Sequence, residues 1–241
     1  MELLPAVDVL NGAVVRLRQG RKEDVTVYAN DPATQLRTWA DQGASLVHVV
    51  DLSGAIEGTW NSSLWRELGG TGVRFQAGGG IRSLEAAVQT IAAGVDRVVL
   101  GSTVVWNPTM LASMVVTLGP DRVVAAVDVR DGMAVGTGWT DAGRPLDQVL
   151  DQLAGAGVIR ALVTGIAGDG MLTGPAVDLL NHCVDRVPEV GIIASGGVGT
   201  LDDLRRLRSL PLDGVIVGRA LYEGAFTLPE GLQAVGGRSD S

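Results

Sequence analysis

Gln76–Leu84 (QAGGGIRSL) is matched by Ala194–Leu201 (ASGGVGTL). In both copies a short apolar run enters glycines and then a segment with a helical pattern. The tetrapeptide AVDV is also present twice, at Ala6–Val9 and at Ala126–Val129. Self-similarity at a fixed spacing is the mark of a duplicated architecture, so the sequence predicts two similar halves.

The spacing of the repeat is regular. Gly79 and Gly196 are 117 positions apart, and so are Gly101 and Gly218 in the strand ends that follow. Two equivalent pairs of glycine turns, rather than one, are therefore predicted on opposite halves of the fold.

Eight short apolar runs alternate with amphipathic segments that have polar starts. The runs are continuous rather than alternating, which is typical of parallel strands covered on both faces. The predicted strands are Leu3–Val9, Leu46–Asp51, Val73–Ala77, Arg97–Leu100, Val123–Asp128, Ala161–Thr164, Gly191–Ala194 and Gly214–Val217. The predicted helices are Asp31–Gln42, Trp60–Leu68, Ser83–Ala93, Pro108–Leu118, Leu146–Gly155, Pro175–Arg186 and Thr200–Leu207, with a short one from Arg219 and a closing one near Leu228–Val235.

Eight strand–helix units in a chain of 241 residues predict a single (β/α)8 TIM barrel built from two similar half-barrels. A doubly wound open sheet is the alternative, and the internal repetition decides against it. We expect the barrel domain to cover residues 1–235 and residues 236–241 to form a disordered tail.

Composition narrows the class of partner. The formal net charge is −8 and no run of Lys or Arg occurs, which argues against nucleic acid or an anionic membrane as partner. The amino terminus lacks a basic segment followed by a long apolar one, so we expect a cytoplasmic protein. A monomer that acts on a small molecule is the expected state.

Several acidic residues close apolar strands, where the active site of a TIM barrel lies. Asp8, Asp51 and Asp128 end predicted strands, Thr164 ends another, and Asp169 follows in a glycine-rich loop. A carboxylate at a strand end serves either chemistry or a structural role, as a helix N-cap or the partner of an arginine. For Asp169, turn formation is the structural alternative.

Glycine segments that leave a strand and enter a helix direct backbone N–H groups at an anion. Because two equivalent pairs occur, the sequence predicts two phosphate sites, one for each end of a bis-phosphorylated substrate. The residues predicted to bind them are Gly79, Gly80, Gly101, Ser102, Thr103, Gly196, Gly197, Gly218 and Arg219.

Two further side chains are candidates for substrate contacts. Arg16 follows the first strand and could contact an anion or a sugar hydroxyl, or be a solvated loop residue. Trp139, in the long loop Val129–Arg144, could stack on a planar base. The chain has two histidines and one cysteine. His48 is predicted to line the core or barrel and His182 a helix face, so neither a metal cluster nor a Cys–His nucleophile is expected.

The chain resembles the HisA family, the phosphoribosyl-formimino-aminoimidazole-carboxamide ribotide isomerases of histidine biosynthesis. The resemblance extends from Leu4 to about Pro229, and its closest branch is the actinobacterial PriA branch, whose members also isomerise phosphoribosyl anthranilate for tryptophan synthesis. The segments that carry it are LPAVDVLNGAVVRLRQG, VHVVDLSGA, AGGGIRS, VVLGSTVV, VTGIAGDGMLTG and IIASGGVGTLDDL.

The resemblance implies an Amadori rearrangement of an aminoaldose to an aminoketose, with neither metal nor cofactor. By motif, Asp8 would be the general base and Asp169 the general acid. Asp128 and Thr164 would support them, and in parts of the family the residue at the Asp128 position is assigned the acid role. The glycine turns would bind the phosphates, and Trp139 would stack on the aminoimidazole.

The chain departs from the family pattern at four positions. The usual Asp after Thr164 is Gly165, the basic residue before the loop Asp is Gly168, and the Ser of the PriA branch is Gly78. The Arg that lies two residues before the Trp in that branch is Thr137, with Arg130 or Arg144 as possible substitutes. These departures favour the histidine-pathway reaction, with weak or residual activity on phosphoribosyl anthranilate.

Four alternatives stay open at this point. One is a fully bifunctional isomerase, and another is the sister cyclase HisF, which typically has a Cys and a Lys where this chain has Val7 and Arg16. A dedicated phosphoribosyl anthranilate isomerase would have a catalytic Cys at the end of the first strand. The last alternative is a barrel that binds a phosphorylated metabolite without catalysis.

Overall fold

A computed structural model describes residues 1–18, 21–136 and 142–236, with the side chains of 16–18 and 21–24 left out. Within these residues, eight parallel strands close into a barrel surrounded by helices. No helix among them is long and apolar enough to cross a membrane. Of the predicted disordered tail, 237–241 lie outside the described residues, and Gly236 ends the last helix.

The elements follow the chain in a regular order. The strands are β1 (Glu2–Leu10), β2 (Ala13–Arg18), β3 (Arg21–Ala29), β4 (Val47–Asp51), β5 (Phe75–Gly78), β6 (Arg97–Leu100), β7 (Val123–Arg130), β8 (Met133–Val135), β9 (Arg144–Pro145), β10 (Arg160–Gly165), β11 (Gly191–Ser195) and β12 (Gly214–Val217). The helices are α1 (Pro32–Asp41), α2 (Leu52–Glu57), α3 (Ser62–Gly69), α4 (Leu84–Ala92), α5 (Ser102–Trp106), α6 (Pro108–Leu118), α7 (Leu146–Gly155), α8 (Val177–Arg186), α9 (Leu201–Arg208), α10 (Arg219–Tyr222) and α11 (Leu228–Gly236).

The barrel closes in the order β1, β4, β5, β6, β7, β10, β11, β12. Following paired residues from Asp8 through β4, β5 and β6 leads to Val124 on β7. Following them from Asp128 through β10, β11 and β12 leads to Leu4 on β1. The register therefore shifts by four residues over each half of the barrel, from 128 to 124 on β7 and from 8 to 4 on β1. Together the two shifts give the shear number of eight that is typical of a TIM barrel.

Two apolar layers hold this barrel together. One small cluster fills the interior. It consists of Leu46, which directly precedes β4, and the strand residues Leu4, Ala6, Val99, Val124, Leu162, Ile193 and Ile216. A much larger cluster lies between the outer face of the strands and the helices, and includes Trp65, Phe75 and the buried thiol of Cys183. Burial raises the pKa of Cys183 to about 12, which agrees with the inert helical cysteine predicted from the sequence.

All eight predicted barrel strands are present, but the expectation of plain loops after β1 and β7 is wrong. Arg16 lies in strand β2, and the segment predicted as the loop Val129–Arg144 contains the end of β7, strand β8 and the start of β9. In both places the barrel strand, β1 or β7, continues beyond the barrel, and the chain then folds back to form an antiparallel hairpin.

The two hairpins have the same turn. Asn11 and Gly12 have φ of 51° and 80°, and Asp131 and Gly132 have φ of 52° and 76°. Positive φ at both central residues defines the type I′ turn, which Asn-Gly and Asp-Gly favour because its twist matches that of the paired strands. The dipeptides were the local signal that could have revealed both hairpins in the sequence.

Candidate active site

Asp8, Asp128 and Thr164 lie at the carboxyl-terminal mouth of the barrel. Each follows, by two residues on the same strand, a residue of the interior cluster or one packed against it. Because alternate residues of a strand share a face, these side chains point into the barrel. Thr164 is 6% exposed and pairs in register with Asp128 on the neighbouring strand. The structure therefore brings together three of the four predicted catalytic residues on strands.

The helix-capping alternative for Asp8 and Asp128 is wrong. Both residues lie inside strands that continue to Leu10 and Arg130, and so neither precedes a helix. Asp8 and Asp128 are four strands apart in the closed order, on opposite sides of the mouth.

Asp51 does take the structural role that its position allowed. Its Oδ1 accepts a hydrogen bond of 3.0 Å from the Gly54 N–H, which makes it the N-cap of α2. The residue is 1% exposed, and its Oδ2 has no hydrogen-bond partner among the described residues. Burial raises the pKa of this carboxyl, since the charged form loses its hydration.

Asp169 follows a short 3-10 turn, Ile166–Gly168, and is partly exposed at the mouth. Its side chain packs against the Gly196 turn, because a Cβ placed on Gly196 would lie 3.4 Å from the Asp169 carboxylate. The Arg219 guanidinium binds the same loop, donating to the Gly170 carbonyl at 2.6 Å. Asp169, Gly196 and Arg219 thus line one pocket.

The two predicted glycine turns have matching backbones. Gly79 and Gly80 have φ of 100° and 71°, and Gly196 and Gly197 have φ of 89° and 81°. Three of these four positions also lack room for a side chain: a Cβ would lie 2.1 Å or less from a backbone carbonyl at Gly79, Gly80 and Gly197. Since β5 and β11 are opposite one another in the barrel, the turns lie on opposite sides of the mouth.

The helix ends beside these turns differ from the prediction in one respect. We expected the helices that follow the glycines to offer their amino-terminal N–H groups. Instead, the side chains of Ser83 and Thr200 cap α4 and α9. The short helices α5 and α10 have Gly101 and Gly218 as their N-cap residues and no side-chain cap, so the uncapped N–H groups belong to them.

Gly101 and Gly218 also share a backbone conformation, with φ and ψ of −98° and −86° at Gly101 and −114° and −91° at Gly218. Ser102 is half-buried and Thr103 buried at the start of α5. The Arg219 side chain, predicted as a phosphate contact, binds Glu223 with its Nε at 2.6 Å as well as the Gly170 carbonyl. Its backbone N–H remains at the start of α10.

A buried polar pair lies one layer below the carboxylates. His48 is 6% exposed and Gln76 fully buried, and the Gln76 Nε2 lies 2.9 Å from the His48 Nδ1. An amide nitrogen donates, so the His48 Nδ1 accepts in this arrangement. The prediction that His48 lines the barrel is confirmed.

The structure gives a physical context for two departures from the family pattern. A Cβ at Gly165 would lie 2.8 Å from the Ala176 Cβ, and one at Gly78 would lie 3.3 Å from the Val99 Cβ. A side chain at either position requires its neighbour to move. Arg144, a possible substitute for the missing arginine, donates to the Val105 carbonyl and the Gln152 Oε1, each at 2.8 Å, and is therefore committed to α5 and α7.

Three sequence-based candidates cannot be placed. Trp139 and Thr137 lie outside the described residues, and the side chain of Arg16 is not described either, although its backbone is in β2 opposite Thr26. Their roles stay predictions.

Known proteins are similar to this chain over nearly its whole length. A family model described as "Histidine biosynthesis protein" matches residues 2–227. A protein of Maricaulis maris (strain MCS10) is 43% identical over 241 residues, which cover 96% of this chain and 98% of the relative. It is named 1-(5-phosphoribosyl)-5-((5-phosphoribosylamino)methylideneamino) imidazole-4-carboxamide isomerase.

Two further relatives have the same name. The protein of Roseiflexus castenholzii (strain DSM 13941 / HLO8) is 42% identical over 237 residues, covering 97% of this chain and 99% of the relative. That of Arthrobacter sp. (strain FB24) is 43% identical over 242 residues, covering 99% of this chain and 96% of the relative.

Proposed function

Because this chain belongs to the histidine biosynthesis protein family, we propose that it is an aldose–ketose isomerase that carries out an Amadori rearrangement. Its substrate would be the aminoaldose 1-(5-phosphoribosyl)-5-((5-phosphoribosylamino)methylideneamino)imidazole-4-carboxamide (ProFAR), and its product the corresponding aminoketose (PRFAR). One structural observation supports this assignment most strongly. Two glycine turns of matching conformation lie on opposite sides of a mouth that holds Asp8, Asp128 and Asp169. A substrate with a phosphate at each end matches this arrangement.

The reaction needs an acid and a base. The acid protonates the ribose ring oxygen as the ring opens, and the base then removes the C2′ proton. We assign the base to Asp8 and the acid to Asp169, which approach the mouth from β1 and from the loop after β10.

Asp128 and Thr164 serve as supporting residues in this scheme. Asp128 is opposite Asp8, and Thr164 pairs with Asp128 in register. The hydroxyl of Thr164 can donate to a carboxylate or to a substrate oxygen. Asp128 is the acid to consider next should Asp169 prove dispensable.

We place one phosphate at Gly80 and Gly101–Thr103 and the other at Gly197 and Gly218–Arg219. At each place a glycine turn with positive φ lies beside the uncapped start of a short helix, where N–H groups bind anions well. Trp139 and Arg16 complete the proposed site, the first by stacking on the aminoimidazole. The proposed setting is a monomeric cytoplasmic enzyme, independent of nucleic acid, membrane, metal and cofactor.

The direct test is to incubate the purified chain with ProFAR and to measure the formation of PRFAR by chromatography. Binding of ProFAR without conversion would contradict the enzyme assignment and favour a metabolite-binding barrel. Crystals soaked in sulfate test the two phosphate sites independently. Density at only one of them would contradict a bis-phosphorylated substrate.

A further inference from the structure

Tyr222, the last residue of α10, contacts three parts of the chain. Its ring stacks on Tyr28 of β3, with centroids 4.7 Å apart and planes at 30°. Trp39 of α1 meets the same ring edge-on at 5.5 Å and 77°. The Tyr222 hydroxyl donates to the Ala6 carbonyl at 3.0 Å. One side chain thus joins the β2–β3 hairpin, helix α1 and the strand that carries Asp8.

Strand pairing locates the hairpin. Val9 pairs with Asp51 of β4 and also with Val14 of β2, so β4 and β2 occupy opposite edges of β1. The edge that β2 uses is the one that β12 occupies lower down, where pairing ends at Pro5 with Val217. Strand β2 therefore pairs with β1 just beyond the point where β12 ends. Because α10 directly follows β12, the β2–β3 hairpin lies next to α10.

The hairpin needs such an anchor. Strands β2 and β3 pair with each other, and β2 pairs with β1 over three residues only; a two-stranded ribbon is marginally stable in water by itself. Along β3, Val25 and Val27 are 37% and 56% exposed. Tyr28, next in sequence, is half-buried and stacks on the barrel side.

The second half of the barrel has a hairpin in the equivalent place. Strand β6 pairs with β7 only as far as Ala125, and β8 pairs with the same edge of β7 from Asp128 onward. Strands β12 and β2 share one edge of β1 in the same way. Val105 is 117 positions before Tyr222 and thus equivalent to it, and its carbonyl accepts from Arg144 at 2.8 Å. Among the described residues, this hydrogen bond from Arg144 of β9 joins the second hairpin to the carboxyl-terminal end of α5.

We propose that Tyr222 is a positioning residue that fixes the β2–β3 hairpin beside the mouth of the barrel, by stacking on Tyr28 while its hydroxyl holds the Ala6 carbonyl two residues before Asp8. The consequence for catalysis rests on the proposed function, because the hairpin pairs directly with the strand that carries Asp8, the proposed base. The anchoring itself does not depend on which reaction the site performs.

The test uses the full chain and the variants Tyr28→Leu, Tyr222→Leu and Tyr222→Phe. The hairpin offers trypsin the sites Arg18, Arg21 and Lys22. Cleavage of the native protein follows the population of the open form when opening is fast. Loss of an aromatic pair should raise cleavage at these sites roughly twofold to tenfold in both Leu variants. Tyr222→Phe keeps the stack and should be cleaved like the wild type.

Kinetics supply the second readout. Both Leu variants should lose on the order of tenfold or more in kcat/KM, because small displacements in a site are costly, and the double variant should lose no more than either one. Phe226→Leu, which alters a buried aromatic beside Gly231 of α11, is the matched control and should lower Tm without changing cleavage or KM. Unchanged cleavage in both Leu variants would overturn the proposal. An inactive wild type would contradict the proposed function alone, and the cleavage test would still decide the anchoring.

Discussion

Asp8 and Asp128 occupy equivalent positions on opposite strands of the barrel, and each faces a valine seven residues later, Val15 or Val135, across a two-residue turn. The two carboxylates therefore belong to strands that continue into hairpins rather than to helix starts. In contrast, Asp51 ends its strand as an N-cap. This difference in the backbone separates two carboxylates that face the mouth of the barrel from one that caps a helix, and it supports the following predictions.

Asp8→Asn and Asp169→Asn should each lower kcat by roughly a hundredfold to ten-thousandfold, the range typical of general acid–base groups. Asn preserves size and hydrogen bonding but cannot exchange the proton, so KM should change far less. Steady-state assays with ProFAR test this. Asp121→Asn, which alters an exposed carboxylate at the amino-terminal end of the barrel, is the control. Near-wild-type turnover of Asp169→Asn would transfer the acid role to Asp128.

Gly101→Ala should fold normally and yet bind substrate poorly. Its φ of −98° lies outside the left-handed region that favours glycine, and a Cβ there would have no atom within 4 Å. The added methyl would instead occupy the space proposed for a phosphate, and we expect KM to rise on the order of tenfold or more with little change in Tm.

Gly155→Ala supplies the matched control for that substitution. A Cβ at this exposed helical position also meets nothing within 4 Å, and alanine should stabilise the fold by about 0.4–1 kcal/mol without changing KM. Unaltered KM in Gly101→Ala would place the phosphate elsewhere.

Asp51→Asn should be at least as stable as the wild type near neutral pH. Burial raises the pKa of Asp51 above its ordinary 3.8, so the folded state holds this proton to higher pH than the unfolded chain does. The free energy of unfolding of the wild type should therefore fall as pH rises from the unfolded pKa through the folded one. Asn keeps an oxygen to accept from Gly54 and has no charge to desolvate.

Urea unfolding of Asp51→Asn and Asp51→Ala across that pH range distinguishes the contribution of the N-cap hydrogen bond from the cost of burying the charge. The Ala variant loses the N-cap and should be about 1 kcal/mol less stable. The advantage of the Asn variant should shrink as pH decreases. Equal destabilisation of both variants would show that the carboxylate is needed in its charged form.

The histidine-pathway substrate should be preferred clearly over phosphoribosyl anthranilate. Anthranilate carries a carboxylate that an arginine binds best in bidentate geometry, and Thr137 offers one neutral hydrogen bond. The lost contact is worth about 1.5–3 kcal/mol, roughly a tenfold to hundredfold loss in kcat/KM. Arg144 is bound to Val105 and Gln152 and is not available to compensate.

Assays of both substrates on one preparation, repeated with Thr137→Arg, test this preference. The substitution should raise activity on phosphoribosyl anthranilate selectively. Equal efficiencies in the unmodified chain would show that Arg130 or another group receives the carboxylate.

The sequence by itself determined the eight barrel strands, the doubling and every helix except the short α2 and α5, because apolar period and turn glycines are local properties. Strands β6 and β12 were predicted with the bounds that the structure has, Arg97–Leu100 and Gly214–Val217. It also placed Asp8, Asp128 and Thr164 at strand ends, which parallel topology gathers at one face. The two hairpins had a local signal too, in Asn11-Gly12 and Asp131-Gly132, and could have been predicted.

Only the tertiary structure decided what each group at that face does. Asp8 and Asp51 both end predicted strands, yet one faces the mouth and the other caps α2, since the next few φ and ψ angles depend on packing with distant elements. The contacts of Tyr222 with Tyr28 and Ala6 span some two hundred residues. No local pattern contains such a contact, because it arises when the closing barrel brings its last short helix against its first strand.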